Sequence, residues 1–430
     1  MMLEAPGARM SAVPEHSASP SSVVAAKKEW HQARNGMKPC GPFHCPEVGA
    51  DPMKIESVAV HACRLPPSSP WEDATNKVQG LEIIFTEIRT DNGLAGFGIS
   101  YTVDIGGTAI KALIEDYLAA LVIGMDPLDY ERIWNKLNRQ SRRLGLGVNS
   151  MAIAAVDIAI WDLIGKHHGQ PLHKLLGGAR DAIPAYISEI NLRTDDTVED
   201  LLQRVDGYIA EGYRTVKIKI GREEIEDDIE RIVKVKERLG RGGKLLVDLN
   251  QKWSAAEALV RGPRLDPLGL GWIEEPMLYQ DIAGHAALRR AMRTPIALGE
   301  SLYSRQQFLE YLKADAVDIV QADVAFVGGI TEWHKIAHLA NAFGRPVAPH
   351  YMMEMSLPLL CGVQNAYMLE NVIGGSLTEL GLIEMPIVIK DAIGVPVDRP
   401  GHGIVPDWAA IKAHELTPGR VRAGFSGGSK

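Results

Sequence analysis

The chain has 430 residues, 46% of them hydrophobic, and 46 Lys+Arg against 54 Asp+Glu give a formal net charge of −8. That length holds two or three domains of ordinary globular composition. The mildly acidic balance, with no basic stripe, argues against a nucleic-acid partner; no apolar run is read as reaching the roughly 18 residues of a membrane span, and the N-terminus lacks the apolar core of a secretory signal.

Residues 1–53 are rich in Ser, Pro, Ala and Gly ("PEHSASPSS", "NGMKPCGP") and short on aliphatic periodicity. Such a segment buries too little apolar area to offset its ordering entropy, so a poorly ordered extension is expected, with Met53 as an alternative start. Cys40, His44 and Cys45, with His31 nearby, fit no common zinc spacing, and a loose tail is the better reading. The remaining cysteines, Cys63 and Cys361, add no disulfide framework, which points to a reducing cytoplasm.

From Lys54 the texture changes. "IESVAVHACRL" and "LEIIFTEIRTDNGLAGFGISY" read as strands, the second turning at Asn92-Gly93. Helices are predicted around 108–122, 127–138 and 150–167, the last with an Asn-Ser start and a Gly-Pro stop. Strands followed by helices make 54–180 an α+β unit.

Beyond about Ala182, short apolar runs alternate with helical stretches: "IPAYIS", "TVKIKI", "KLLVDLN", "GWIEEP", "PIALGE", "VDIVQAD", "RPVAPH" and "AYMLE". Eight strands at even spacing predict a closed parallel barrel over 181–395 rather than a doubly wound open sheet. Residues 396–415 would return to the first unit, with a tail over 416–430.

A parallel barrel carries its chemistry at the C-terminal strand ends. Those ends bear Lys217 and Lys219, Asp248 and Asn250, Glu274 and Glu275, Glu300, Asp323, His350 and Glu370, mostly 20 to 29 residues apart from one strand to the next. A single acid at such a place is most often a helix N-cap. Seven successive strands delivering ionisable groups to one rim is hard to obtain from independent caps. In "TVKIKI", Val216, Ile218 and Ile220 alternate with Lys217 and Lys219, so both lysines are expected to point into the barrel, where buried cations need partners.

These strand ends ("KIK", "VDLN", "WIEEP", "LGES", "DIVQADVAFVGG", "APH"), together with "AAVDIAIWDLIGK…PLHKLLGG", resemble the enolase superfamily, mandelate racemase subgroup, over roughly residues 54–415. The resemblance implies an α/β fold in which an α+β cap covers a (β/α)7β barrel. It assigns Asp248, Glu274 and Glu300 as ligands of one Mg²⁺ per subunit, where alternation alone leaves Glu274 and Glu275 open. Three carboxylates on adjacent strands would repel without a hard dication, and Mg²⁺ keeps positions for water and substrate.

The same resemblance makes Lys219 the base on one face of a substrate carbon and His350 the group on the other, with Asp323 fixing the imidazole. Lys217 and the dication together would lower the Lys219 pKa from about 10.4 toward about 7, a differential of about 4–5 kcal/mol, and Lys217 would contact the substrate carboxylate. Glu370 would be a protonated donor to the enediolate, Asn250 and Ser188 substrate contacts. Lysine facing a His-Asp pair permits two outcomes: dehydration of an acid sugar, or racemisation of a 2-hydroxy acid. A cycloisomerase using two lysines is disfavoured by His350, and a scaffold without turnover by the presence of every expected group. The polar segment 66–80 and Arg139, Arg142 and Arg143 suggest a cover suited to a hydroxylated acid, which favours the dehydratase. Family members tend toward symmetric assemblies, so a homo-oligomer, dimer to octamer, is expected.

Overall fold

Strands β1 (Ile55–Leu65), β4 (Leu81–Thr90) and β5 (Ala95–Val103) form an antiparallel sheet in the order β1-β4-β5 in the computed structural model, which describes residues 53–189, 191–192 and 196–416. Nearly all of the expected extension and tail, with the Cys40/His44/Cys45 group, lies outside the described residues. The β4–β5 hairpin turns where Asn92-Gly93 predicts, with Gly93 in the left-handed region at φ 85°. A second, two-residue hairpin, β2 (Trp71–Glu72) with β3 (Lys77–Val78), rises from the polar segment 66–80. Asp73 Oδ1 caps its turn, accepting from the Thr75 and Asn76 amides at 2.7 and 2.8 Å.

Helix Val148–His168 lies flush on β5. Successive side chains of a strand face opposite ways, so Gly96 and Gly98 share one face of β5 and Tyr101 takes the other. A Cβ added at Gly98 would stand 1.8 Å from the Ala155 carbonyl oxygen, and one at Gly96 2.3 Å from that of Ala159. Contrary to the sequence expectation, this 21-residue helix, of mean hydropathy 1.5, is long and apolar enough to cross a membrane. It is instead a core helix: 94% of the apolar window is buried inside the protein, so it is apolar on every side.

The second sheet is parallel and curls into the expected barrel. Its order is β11 (Ile319–Val320), β10 (Ile296–Leu298), β9 (Ile273–Glu274), β8 (Lys244–Asp248), β7 (Thr215–Lys219), β6 (Ile183–Glu189), β12 (Leu369–Val372). The seventh predicted strand, "RPVAPH", is reduced to bridges at Val347, which joins Val320 to Ala366 and closes the ring. Strand β13 (Ile393–Gly394) adds antiparallel to the start of β6, and the Leu416 amide bonds the Ala62 carbonyl of β1 at 2.7 Å.

Inside the barrel, Tyr186, Leu246, Trp272, Ala297, Ile319, Ala348 and Met368 form a separate apolar layer. Strand alternation then fixes what lies one pleat higher. Ser188, Asp248, Glu274, His350 and Glu370 each stand two residues beyond a member of that layer, on the same face.

Candidate active site

Lys217 and Lys219 are 1% and 5% exposed, while Val216, Ile218 and Ile220 fill the helix side, as the alternation predicts. Each lysine has found acids. Lys217 Nζ lies 2.6 Å from Glu274 Oε1 and from Glu370 Oε1, and 3.5 Å from Asp248 Oδ2. Lys219 Nζ donates to Asp248 Oδ2 at 2.5 Å. A buried cation without such partners would be strongly disfavoured.

These contacts bear on the charge of Lys219 and of Glu370. Burial is the largest influence on Lys219 and pulls its pKa down, as does Lys217, but Asp248 together with Glu300 and Asp73 raises it, so among protein groups alone the pKa rises. Burial raises the Glu370 pKa, yet Lys217, His350 and the hydrogen bonds from Lys217 and the Tyr351 amide hold it down at about 2 among protein groups alone. Its other oxygen, Oε2, accepts the Tyr351 amide at 2.8 Å.

Asp248, Glu274 and Glu300 each present an oxygen within 4.8 Å of the others, which settles Glu274 over Glu275 as the third member of the cluster. Three hard oxygen donors at that spacing suit a Mg²⁺ ion. Burial, the largest influence, and then Asp248 push Glu274 up to about 8 despite Lys217 at 2.6 Å. Trp272 Nε1 orients Glu274 by donating to Oε2 at 2.9 Å. Glu275 turns aside, its Oε2 accepting from Gln251 Nε2 at 3.1 Å.

His350 Nδ1 lies 2.8 Å from Asp323 Oδ2, and Nε2 lies 3.6 Å from Glu300 Oε2. Burial would lower its pKa, but Glu300 and the Asp323 hydrogen bond raise it to about 10. Above these groups opens a cavity of about 550 Å³ lined by Ser188, Lys217, Lys219, Asn250, Glu300, His350 and Glu370 from the barrel. The cap contributes Trp71, Asp73, Thr75, Asn76, Lys77, Tyr101 and Asp104. Asp248, Glu274 and Asp323 lie just beneath, fully buried. Ser188 Oγ and Asn250 Oδ1 have no hydrogen-bond partner among the described residues, so both are free for a ligand.

Other expected groups stand elsewhere. Arg142 and Arg143 are solvent-exposed, and Arg139 lines a separate surface depression; none reaches the cavity. Glu189, next to Ser188, is turned to Tyr208, which donates to it, and to Arg204 at 3.3 Å, and it does not line the cavity. The sequence reading missed the aromatic wall of Trp71, Tyr101, Phe326 and Tyr351. Opposite parity to Gly96 and Gly98 marks Tyr101 once the sheet is known. Left-handed backbone at Asn250, Gln251, Glu275 and Tyr351 also clusters at this rim, a form of local strain found at functional sites.

Two domain families match the chain: mandelate racemase / muconate lactonizing enzyme, N-terminal domain, over residues 55–177, and enolase C-terminal domain-like over 200–410. An L-talarate/galactarate dehydratase of Salmonella typhimurium is 37% identical over 71% of this chain and 78% of its own. A 3,6-anhydro-alpha-L-galactonate cycloisomerase of Streptomyces coelicolor is 33% identical over 83% and 98%. Among solved structures, the L-talarate dehydratase of Polaromonas sp. JS666, complexed with Mg and L-glucarate, superposes with a TM-score of 0.78 at 33% identity, covering 85% of this chain and 98% of that one.

Proposed function

Because the chain belongs to the mandelate racemase subgroup of the enolase superfamily, we propose that it is a Mg²⁺-dependent hydro-lyase acting on an acid sugar, an aldonate or aldarate. The observation that carries the reading is the convergence of Lys219 and His350, from well-separated positions on the barrel ring, upon one cavity that Glu300 also lines. Mg²⁺ held by Asp248, Glu274 and Glu300 would supply positive charge to the substrate carboxylate and to the enediolate it becomes.

The residues then divide the work. Lys217, fixed by Glu274 and Glu370, is a standing cation for the substrate carboxylate. Lys219 acts as the free amine, the form favoured once Asp248 is engaged as a metal ligand, and removes the proton α to that carboxylate while the C–H electron pair forms the enediolate. On the other side His350 gives a proton to the β-hydroxyl as the C–O bond breaks, releasing water. The resulting enol tautomerises to a 2-keto-3-deoxy acid. Asp323 fixes the imidazole through Nδ1, leaving Nε2 toward the cavity. Ser188 and Asn250 offer their unpartnered oxygens to substrate hydroxyls, and Glu370, as a carboxylate, accepts rather than donates.

An acid sugar suits the walls, where Asp73, Thr75, Asn76, Lys77 and Asp104 bring polar groups from the cap. The names of the dehydratase and cycloisomerase relatives point to the same substrate class. The test is a panel of mono- and diacid sugars, including anhydro and lactone forms, assayed with Mg²⁺ for 2-keto product. Turnover that disappears in Lys219→Ala and in His350→Asn is the expected result. Recovery of starting acid carrying solvent deuterium, with no keto product, would instead identify a racemase or epimerase. Full activity of both variants on every epimer would remove the assigned bases.

A further inference from the structure

We propose that Tyr101, carried by cap strand β5, is a positioning residue for the His350–Asp323 pair, its hydroxyl holding the imidazole with Nε2 toward the cavity. This rests on the reading in which His350 handles a substrate proton. Tyr101 Oη donates to Asp323 Oδ2 at 2.5 Å and lies 3.3 Å from His350 Nδ1, which is itself 2.8 Å from the same oxygen. The other oxygen, Oδ1, takes the Ala325 amide at 2.8 Å. The Asp323 carboxylate therefore meets three donors from three directions and has no rotation left that keeps them all. Because Asp323 accepts, His350 must present Nδ1–H to it, and that hydrogen bond fixes the tautomer and the tilt of the ring.

The phenol is equally constrained. Its ring stacks on Phe326 with centroids 5.0 Å apart at 27°, and meets Tyr351 edge-on at 4.6 Å and 63°. Behind it, Gly96 and Gly98 set the depth of β5 against helix Val148–His168 with no side chain between. A buried phenol commonly takes any available acceptor. Here the acceptor is the one oxygen that also orients His350, and its supply comes from the cap rather than the barrel. The acid–base pair is complete when the cap strand is in place.

The experiment compares wild type with Tyr101→Phe, which keeps the ring and removes the hydroxyl. Full-length Mg²⁺-loaded protein is labelled with nitrogen-15 in histidine, and His350 is identified by the signal missing from His350→Asn. The expected result is that the His350 Nδ1 proton exchanges with water at least about tenfold faster and its ring nitrogens shift, while the other histidine signals stay in place. An unchanged His350 signal would overturn the proposal. So would a shift spread over most histidines, which would make the hydroxyl a general packing element. On any acid sugar the panel identifies, kcat should fall by about tenfold or more with KM held. If the panel yields no substrate, the functional reading fails and the spectra still decide this one.

Discussion

Thr331, at the start of barrel helix Ile330–Ala342, gives both its amide (2.9 Å) and its hydroxyl (2.6 Å) to Asp157 of cap helix Val148–His168. Burial raises the Asp157 pKa to about 7, more than these two hydrogen bonds lower it. In the unfolded chain it would titrate near 3.9. The folded state thus holds the proton more tightly, and stability must fall as pH climbs from about 4 to about 7, by at most about 4 kcal/mol, then level off. Asp157→Asn should lose this slope: melting temperatures taken from pH 5 to 8 should converge toward wild type at the acid end and exceed it at the alkaline end. Parallel curves would show that Asp157 does not carry the dependence.

Magnesium should stabilise the folded chain as well as support turnover. A ligand that binds the native state alone at a hundredfold its dissociation constant adds about 2.7 kcal/mol. The melting midpoint should climb with Mg²⁺ concentration. Glu300→Gln, at the accessible edge of the cluster, should need at least about tenfold more Mg²⁺ for the same climb. Equal titrations would place the ion elsewhere.

Gly98→Ala should cost about 1–3 kcal/mol or more, since its Cβ would meet Ala155 backbone rather than a yielding side chain. Differential scanning calorimetry reads this directly. The control is Gly93→Ala, where φ is 85° but nothing stands within 4 Å, so its penalty is conformational alone and smaller.

The barrel rim was legible in the sequence because a parallel strand has a period of two and a fixed polarity. Lys217 and Lys219, Asp248, Glu274 and His350 sit at the ends of runs whose inward face can be counted. The charges on those groups were not legible. Whether Lys219 is driven up or down depends on the balance of its burial and Lys217 against Asp248, Glu300 and Asp73, and only folded distances such as the 2.5 Å to Asp248 decide it. For Glu370 the neighbour that matters most, Lys217 at 2.6 Å, is equally invisible in the sequence. The cap was the hardest part. Arg139, Arg142 and Arg143 looked like a cover by composition, whereas the contributions come from Tyr101 and the Trp71–Val78 hairpin, placed by packing between distant segments. Trp71 shows why: its indole N–H reaches the Ile373 carbonyl at 2.7 Å, across 302 positions of chain.

The apolar layer of Tyr186, Leu246 and Trp272 has a bearing on traffic. It stoppers the barrel from below, so the axis is a dead end rather than a conduit. The Trp71–Val78 hairpin walls the same cavity from the cap side, so a change in that hairpin would alter the space offered to a ligand while leaving the proton-transfer groups where they stand.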